Sequence, residues 1–245
     1  MESPWLIGAA GILAGSIAAV SGFGIGSLLT PLLLLSMPTA RAVAILAIPH
    51  AVATTIRMLR LRSAIHWPTF RQFGLASAAG GLAGATLQSR LGSPTLTIVL
   101  ASLLVVAGLS ELLERRVPLP ESRFWRILGG TLSGVFGGMV GNQGGIRAAA
   151  LLGFQLRPSQ LVATATASAL LVDAARIPIY LLSQGPAIAA SVPLWIAASI
   201  GTVIGTFLGV PLLSRIPPPT YRRLLGALLV LLGLGLFAGA VGRRS

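Results

Sequence analysis

Cysteine and lysine are both absent from this chain of 245 residues, and it holds only five carboxylates and two histidines. Without cysteine there can be no disulfide, thiolate nucleophile or Cys-based metal site. Two imidazoles and five scattered acids provide poorly for a metal centre of any other kind, so neither a metal nor another cofactor is expected. Charged residues of all kinds make up 9% of the chain, against roughly 25% in an ordinary soluble domain, which excludes that class. Disorder is excluded by the same scarcity, because 54% of the residues are hydrophobic.

What remains is arginine and apolar surface. All 18 basic residues are Arg, giving a net charge of +13 and a pI near 12.0 at a mean hydropathy of +0.88. So basic a chain suggests a nucleic-acid partner. The suggestion fails because apolar runs of bilayer-spanning length fill nearly every interval between the arginine clusters. No nucleic acid is expected, and the arginines have to be placed relative to a membrane.

Apolar runs between polar or Pro/Gly breaks divide the chain into ten segments, near 4–20, 25–38, 40–57, 69–90, 95–113, 124–139, 144–156, 158–183, 188–213 and 220–240. The first follows Glu2 and has no distinct small-residue cleavage point, so it is expected to be a retained membrane segment and not a signal peptide. The first, second, sixth and seventh segments fall short of the ~20 residues a spanning helix needs. They form two pairs, each broken by glycine.

The two pairs occupy matching places in an internal repeat. An offset of 119 residues lays Leu13 on Leu132, Gly15 on Gly134, Gly22 on Gly141, Gly26 on Gly145 and Arg57 on Arg176. The offset then drifts, laying Gly80 on Gly201 and Gly84 on Gly205, and reaches 125 where Arg90, Pro94 and Thr95 meet Arg215, Pro219 and Thr220. Such an ordered run of Gly, Arg, Pro and Thr indicates a tandem duplication. The expected division is a first membrane repeat at 1–115, a cytoplasmic linker at 116–123 and a second repeat at 124–245.

Arginine placement gives the relative orientation of the halves, because cytoplasmic loops collect positive charge. If each broken pair enters the membrane and returns, the second half is inverted. The arginines of 57–71, 115–126, 157 and 215–223 then fall on the cytoplasmic side, twelve in all, against four outside at Arg41, Arg90, Arg243 and Arg244. Parallel halves would divide the same residues ten to six. The expected fold is therefore an all-α polytopic membrane protein with two homologous halves arranged as an inverted repeat. Each half starts with a Gly-broken pair of short helices or a re-entrant hairpin, followed by three transmembrane helices.

The breaks are where chemistry is expected. The first reads Ser21-Gly22-Phe23-Gly24-Ile25-Gly26-Ser27 and the second Gly141-Asn142-Gln143-Gly144-Gly145-Ile146-Arg147. Irregular backbone at membrane depth survives only inside protein or along a wet cavity. Gly-interrupted segments in matching places mark the binding sites of inverted-repeat transporters. A helix that restarts after such a break points free N–H groups and the positive end of its dipole at a ligand, and glycine admits that ligand to the backbone. Gly22, Gly24, Gly26 and Ser27 in one half, with Gly141, Asn142, Gln143, Gly144 and Gly145 in the other, are thus candidate anion-binding residues. The plain alternative is that these glycines only let helices pack closely.

Arg147 opens the helix after the second break, where its charge opposes the dipole. An anion held between it and the N–H groups explains that placement; a structural pair with Asp173 is the alternative. Asp173 and Arg176 stand i, i+3 on one helix and can pair with each other. Arg176 and its counterpart Arg57 are expected near helix ends, reaching toward the interface. Asp173, His50, Thr54, Arg57 and Arg176 are the candidates for proton coupling or gating, set against a local salt bridge for Asp173 and a quiet hydrogen bond for His50.

The Gly-rich break running from Gly22 to Ser27 and on to Pro31, repeated at Gly141–Gly145 and followed each time by an Ala/Thr-rich helix, resembles the sulfite exporter TauE/SafE family, also called the toluene sulfonate uptake permease family. The resemblance covers essentially the whole chain. It implies a multi-pass bacterial inner-membrane protein of two homologous halves that moves small sulfur-containing anions such as sulfite, thiosulfate or organosulfonates as a secondary carrier. The sequence departs from the pattern where Ile25 interrupts the glycine run and where Ala150 stands at the place of Pro31 in the second half. The expected partners are a small anionic substrate and the lipid bilayer, and a homo-oligomer is compatible with both. The rivals are an uncoupled anion channel and an intramembrane enzyme. The enzyme is disfavoured because no Ser/His or paired-acid set recurs between the halves.

Overall fold

Helix boundaries follow proline and glycine. The computed structural model describes residues 3–21, 25–114, 120, 122–213 and 215–242. Among them are α1 (Pro4–Ser21), α2 (Gly26–Leu33), α3 (Thr39–Leu61), the short α4 (Trp67–Thr69), α5 (Leu75–Arg90) and α6 (Ser93–Leu112). The second half holds α7 (Arg123–Val140), α8 (Gly144–Leu152), α9 (Pro158–Ala190), α10 (Val192–Leu213) and α11 (Pro218–Gly242), and no strand occurs among the described residues. Pro94 and Pro158 sit in the first turns of α6 and α9, where a proline sets φ and its missing N–H costs nothing. Gly141 ends α7 at φ +71, a left-handed conformation that glycine takes without strain.

Among the described residues, five helices are long and apolar enough to cross a membrane: those covering Thr39–Ala64, Ser93–Leu112, Pro158–Ala190, Val192–Gly209 and Pro218–Ala240. The stretch expected as a further span is assembled from α4, a π-helical turn at Phe70–Gly74 and α5. One expectation changes. The first and sixth segments stay short of a full span, as α1 and α7 of 18 residues each, and neither is among those five helices; α2 and α8, of 8 and 9 residues, are half-length pieces. The break expected near 184–187 is absent, because α9 runs through Pro178 and Pro186 for 33 residues, about 50 Å at 1.5 Å per residue. Of 116–123, only Pro120, Ser122 and Arg123 are described.

The packing interlaces the halves. α1 packs on α10, and α5 on α7, so each break-forming helix lies against a helix of the other half. Both contacts are made through glycine. A Cβ at Gly134 would overlap the Ser77 carbonyl, and one at Gly205 the Ile12 carbonyl. Backbone therefore meets backbone, as in small-residue helix interfaces in membranes. Gly15, Gly80, Gly84, Gly134, Gly201 and Gly205, which superpose under the repeat, all sit in these two interfaces. For them, close packing is the reason for glycine.

The contacts also give helix directions. Gly8 meets Gly201 and Ser16 meets Gly209, so α1 and α10 run parallel. Arg41 contacts Ser191 and Arg60 lies over Phe207, which adds α3 to that direction. Gly130 meets Phe73 and Gly138 meets Gly81, making α5 and α7 parallel; Gly74 beside Ser168 and Gly81 beside Val172 add α9. The two sets oppose each other, for α3 and α9 pair His50 with Asp173 and His66 with Thr164. α6 and α11 are likewise antiparallel, with Gly108 against Gly226 and Ala101 against Gly233. Because α1 and α3 run the same way, α2 must carry the chain back between them. α8 does the same between α7 and α9.

Candidate anion site at the helix breaks

The two breaks meet. Ser27, in the first turn of α2, donates through Oγ to Asn142 Oδ1 at 3.2 Å, and Gly26 lies against the Gly141 carbonyl, leaving no room for a side chain. Gly22 and Gly24 lie outside the described residues. After Gly141 the chain passes Asn142 and Gln143 and starts α8 at Gly144. Polar atoms gather here that are buried without a hydrogen-bond partner among the described residues: Thr30 Oγ1, Asn142 Nδ2, both amide atoms of Gln143, and Arg147 Nε and Nη2. An unsatisfied buried donor costs about 1–3 kcal/mol, and more when it is charged. Such a cluster suits a polar ligand.

A cavity of ≈ 210 Å³ lies beside the start of α8. Its polar wall is His50, Thr54, Arg57, Gly144, Arg147 and Thr166; the rest is apolar and includes Ala18, Val20, Leu152 and Leu161. Among the described residues no carboxylate lines it. Two arginines and a helix N-terminus therefore border a small space to which the described residues bring no negative charge. The other expected residues are placed differently. Asn142 and Gly145 line a second cavity of ≈ 170 Å³ across α8 with Ser110 and Glu111. Ser27, Gly141 and Gln143 are buried between the cavities and support the break.

Behind the cavity wall stands a buried ion pair. Asp173 accepts from Arg176 Nε at 3.0 Å, and Arg176 Nη2 lies 2.8 Å from the same oxygen. His50 Nδ1 lies 2.7 Å from the other carboxylate oxygen. A carboxylate only accepts, so His50 donates from Nδ1, and its ring forms part of the cavity wall. Arg176 Nη1 donates to the Gly137 carbonyl at 2.7 Å, and the Tyr180 hydroxyl donates to the Gly138 carbonyl. Together these bonds clamp α9 onto the last turn of α7.

Two sequence readings are corrected. Arg176 does not reach the interface; it is 2% exposed and held inside the protein. Asp173 does not pair with Arg147, because Arg176 on the next turn and His50 already occupy both its oxygens. A second acid is buried in an apolar helix. Glu111, 2% exposed in the last turn of α6, is bonded by Arg222 Nε at 2.9 Å. Tyr180 was not foreseen. Its counterpart in the first half is Leu61, so no repeated polar signal marked it.

The model for the sulfite exporter TauE/SafE family matches residues 7–236. This chain belongs to the sulfite exporter TauE/SafE family. No curated protein and no solved structure matches it. Members of this family are transporters, so the chain is a multi-pass membrane protein of the sulfur-anion exporter or permease class. For a TauE/SafE protein the cavity's chemistry is apt: cations and N–H groups suit an oxyanion, and the lining adds no negative charge to repel it.

Proposed function

We propose that this TauE/SafE protein is a secondary transporter of small sulfur oxyanions, such as sulfite, thiosulfate or an organosulfonate, in the inner membrane of a bacterium. The anion binds beside the N-terminus of α8, between Arg147 and Arg57, with His50, Thr54 and Thr166 as further hydrogen-bonding groups. The observation that carries this reading is Arg147. Its guanidinium is buried, its Nε and Nη2 have no hydrogen-bond partner among the described residues, and none of the described residues lining the cavity it faces is a carboxylate. Burying an unpaired cation is costly unless its function is to hold an anion.

The two halves, 1–115 and 124–245, would then rock about the joined breaks as an inverted repeat, exposing the site to each side in turn. The reversed running of α3 against α9 and of α6 against α11 supports this arrangement, as does the twelve-to-four split of arginines. With that orientation the cavity opens where α3 ends and α9 begins, on the cytoplasmic side. A proton gradient would act through the His50–Asp173–Arg176 set, the one buried acid–base cluster adjoining the cavity.

The test is uptake into proteoliposomes of labelled sulfite, thiosulfate, an organosulfonate and sulfate, with and without an imposed pH gradient. Saturable flux of at least one sulfur anion is expected, accelerated by the gradient and lost in Arg147→Ala. Flux unchanged in Arg147→Ala would remove the site; flux indifferent to the gradient would make the protein an uncoupled pathway.

A further inference from the structure

One hydrogen bond is made twice in this fold, once in each half. Under the offset of 119, Arg57 falls on Arg176 and Ala18 on Gly137. Arg57 Nη1 donates to the Ala18 carbonyl at 3.4 Å, and Arg176 Nη1 to the Gly137 carbonyl at 2.7 Å. Each bond ties a long helix that follows a break to the helix that precedes it. Their surroundings differ. Arg176 is buried and braced by Asp173 and Tyr180. Arg57 is half-buried, borders the cavity, and has Thr54 where the other half has Asp173.

The neighbouring positions differ in the same sense. Leu161, Val162, Ala165 and Thr166 line the cavity at the Arg57 end. Their counterparts under the offset, Ala42, Val43, Leu46 and Ala47, are packed at 0%, 1%, 4% and 1% exposure at the Arg176 end. Equivalent sequence is thus open at one end and closed at the other, and the closed end has the short, braced bond.

We propose that Arg57 and Arg176 are the paired gating latches of the transport cycle, each closing its own end by binding the backbone carbonyl of the helix before the break. This conformation has the Arg176 latch closed and the Arg57 latch loosened. In the opposite conformation Arg57 leaves the cavity wall and closes squarely on Ala18, while Arg176 releases Gly137 and the space beside Ala42 opens. The anion then leaves contact with Arg57 as that end closes. This inference rests on the transporter reading above for its purpose, but its test needs no substrate.

Because the chain has no cysteine, a single introduced thiol is the only one present. Ala165→Cys reports the Arg57 end and Ala42→Cys the Arg176 end, each by its labelling rate with a membrane-impermeant maleimide in inside-out and right-side-out vesicles. Ala165→Cys is expected to label from the cytoplasmic face and Ala42→Cys to be protected. Adding Arg176→Gln removes a charged hydrogen bond and is expected to raise Ala42→Cys labelling from the outer face about tenfold while slowing that of Ala165→Cys. Arg57→Gln is expected to leave Ala42→Cys protected.

Tyr180→Phe, which spares the ion pair, is expected to act as Arg176→Gln does, by a smaller factor. It decides the matter if Arg176→Gln does not fold. Continued protection of Ala42→Cys in folded Tyr180→Phe and Arg176→Gln proteins overturns the latch. So does equal exposure of both ends by Arg57→Gln. Sulfite flux through the unmutated protein is measured alongside: labelling that shifts without any flux leaves the latches and removes the substrate assignment, and flux without a shift does the reverse.

Discussion

His50 donates to Asp173 across 2.7 Å, from α3 to α9, two helices that are each other's counterparts in the repeat. Under the offset of 119 His50 is matched by Ala169 and Asp173 by Thr54, so this bond has no counterpart at the repeated positions. It also joins the wall of the cavity beside α8 to the ion pair behind it.

That ion pair governs one prediction on stability. Asp173→Leu leaves Arg176 as an uncompensated buried cation and should destabilise the protein by about 3–5 kcal/mol. Asp173→Leu combined with Arg176→Met restores an uncharged interior and should recover most of the loss, yet fail to transport. Thermal unfolding in detergent and proteoliposome flux, measured on the same preparations, separate the two effects.

Arg147 supports the opposite prediction. Its Nε and Nη2 have no hydrogen-bond partner among the described residues, so Arg147→Ala should leave the unfolding temperature unchanged or raised. Sulfur-anion flux at low substrate concentration should fall roughly tenfold to a hundredfold, as expected for a charged hydrogen-bonding partner. Arg147→Lys, which keeps the charge and loses the fork, should retain part of it.

The glycine interfaces predict a contrast between two substitutions of the same kind. Gly134→Ala drives a methyl group into the Ser77 carbonyl and should cost about 1–3 kcal/mol, as overpacking does. Gly185→Ala, on α9 with no atom within 4 Å of the added carbon, should be neutral or stabilising by up to about 1 kcal/mol. Melting curves of the two purified variants check the difference.

Glu111 and Arg222 give a milder case. Arg222 has 27% of its side chain exposed, so water screens the pair from one side. Glu111→Gln should cost about 1 kcal/mol, and sulfite flux should be preserved, since Glu111 borders the second cavity and not the one that holds Arg147. A matched melting curve and flux assay decide it.

Much of this architecture was legible in the sequence because lipid constrains it so tightly. Apolar runs between prolines and glycines gave most of the helices, and glycines recurring at offsets near 119 fall in two helix interfaces, α1 on α10 and α5 on α7. The same glycines did not reveal their own roles. Gly134 and Gly141 look alike in the repeat, but one admits a neighbouring backbone and the other reverses the chain at positive φ. The acceptors of Arg57 and Arg176 were hidden for a different reason: they are carbonyls, which every residue has. Tyr180 and Glu111 escaped notice because each looks ordinary in its local setting, an aromatic after a proline and an acid at a helix end. Arg147 was legible because its charge stands at the wrong end of a helix.

The interlacing of α1 with α10 and of α5 with α7 has a consequence for how the protein is made. Gly8 enters the membrane early in synthesis, but its partner Gly201 emerges only when the ribosome is well into the second half. Until then the glycine face of α1 must wait beside lipid or an insertion factor. Neither half can complete its own interior alone, and two half-length polypeptides expressed together should find each other where either one by itself would be degraded.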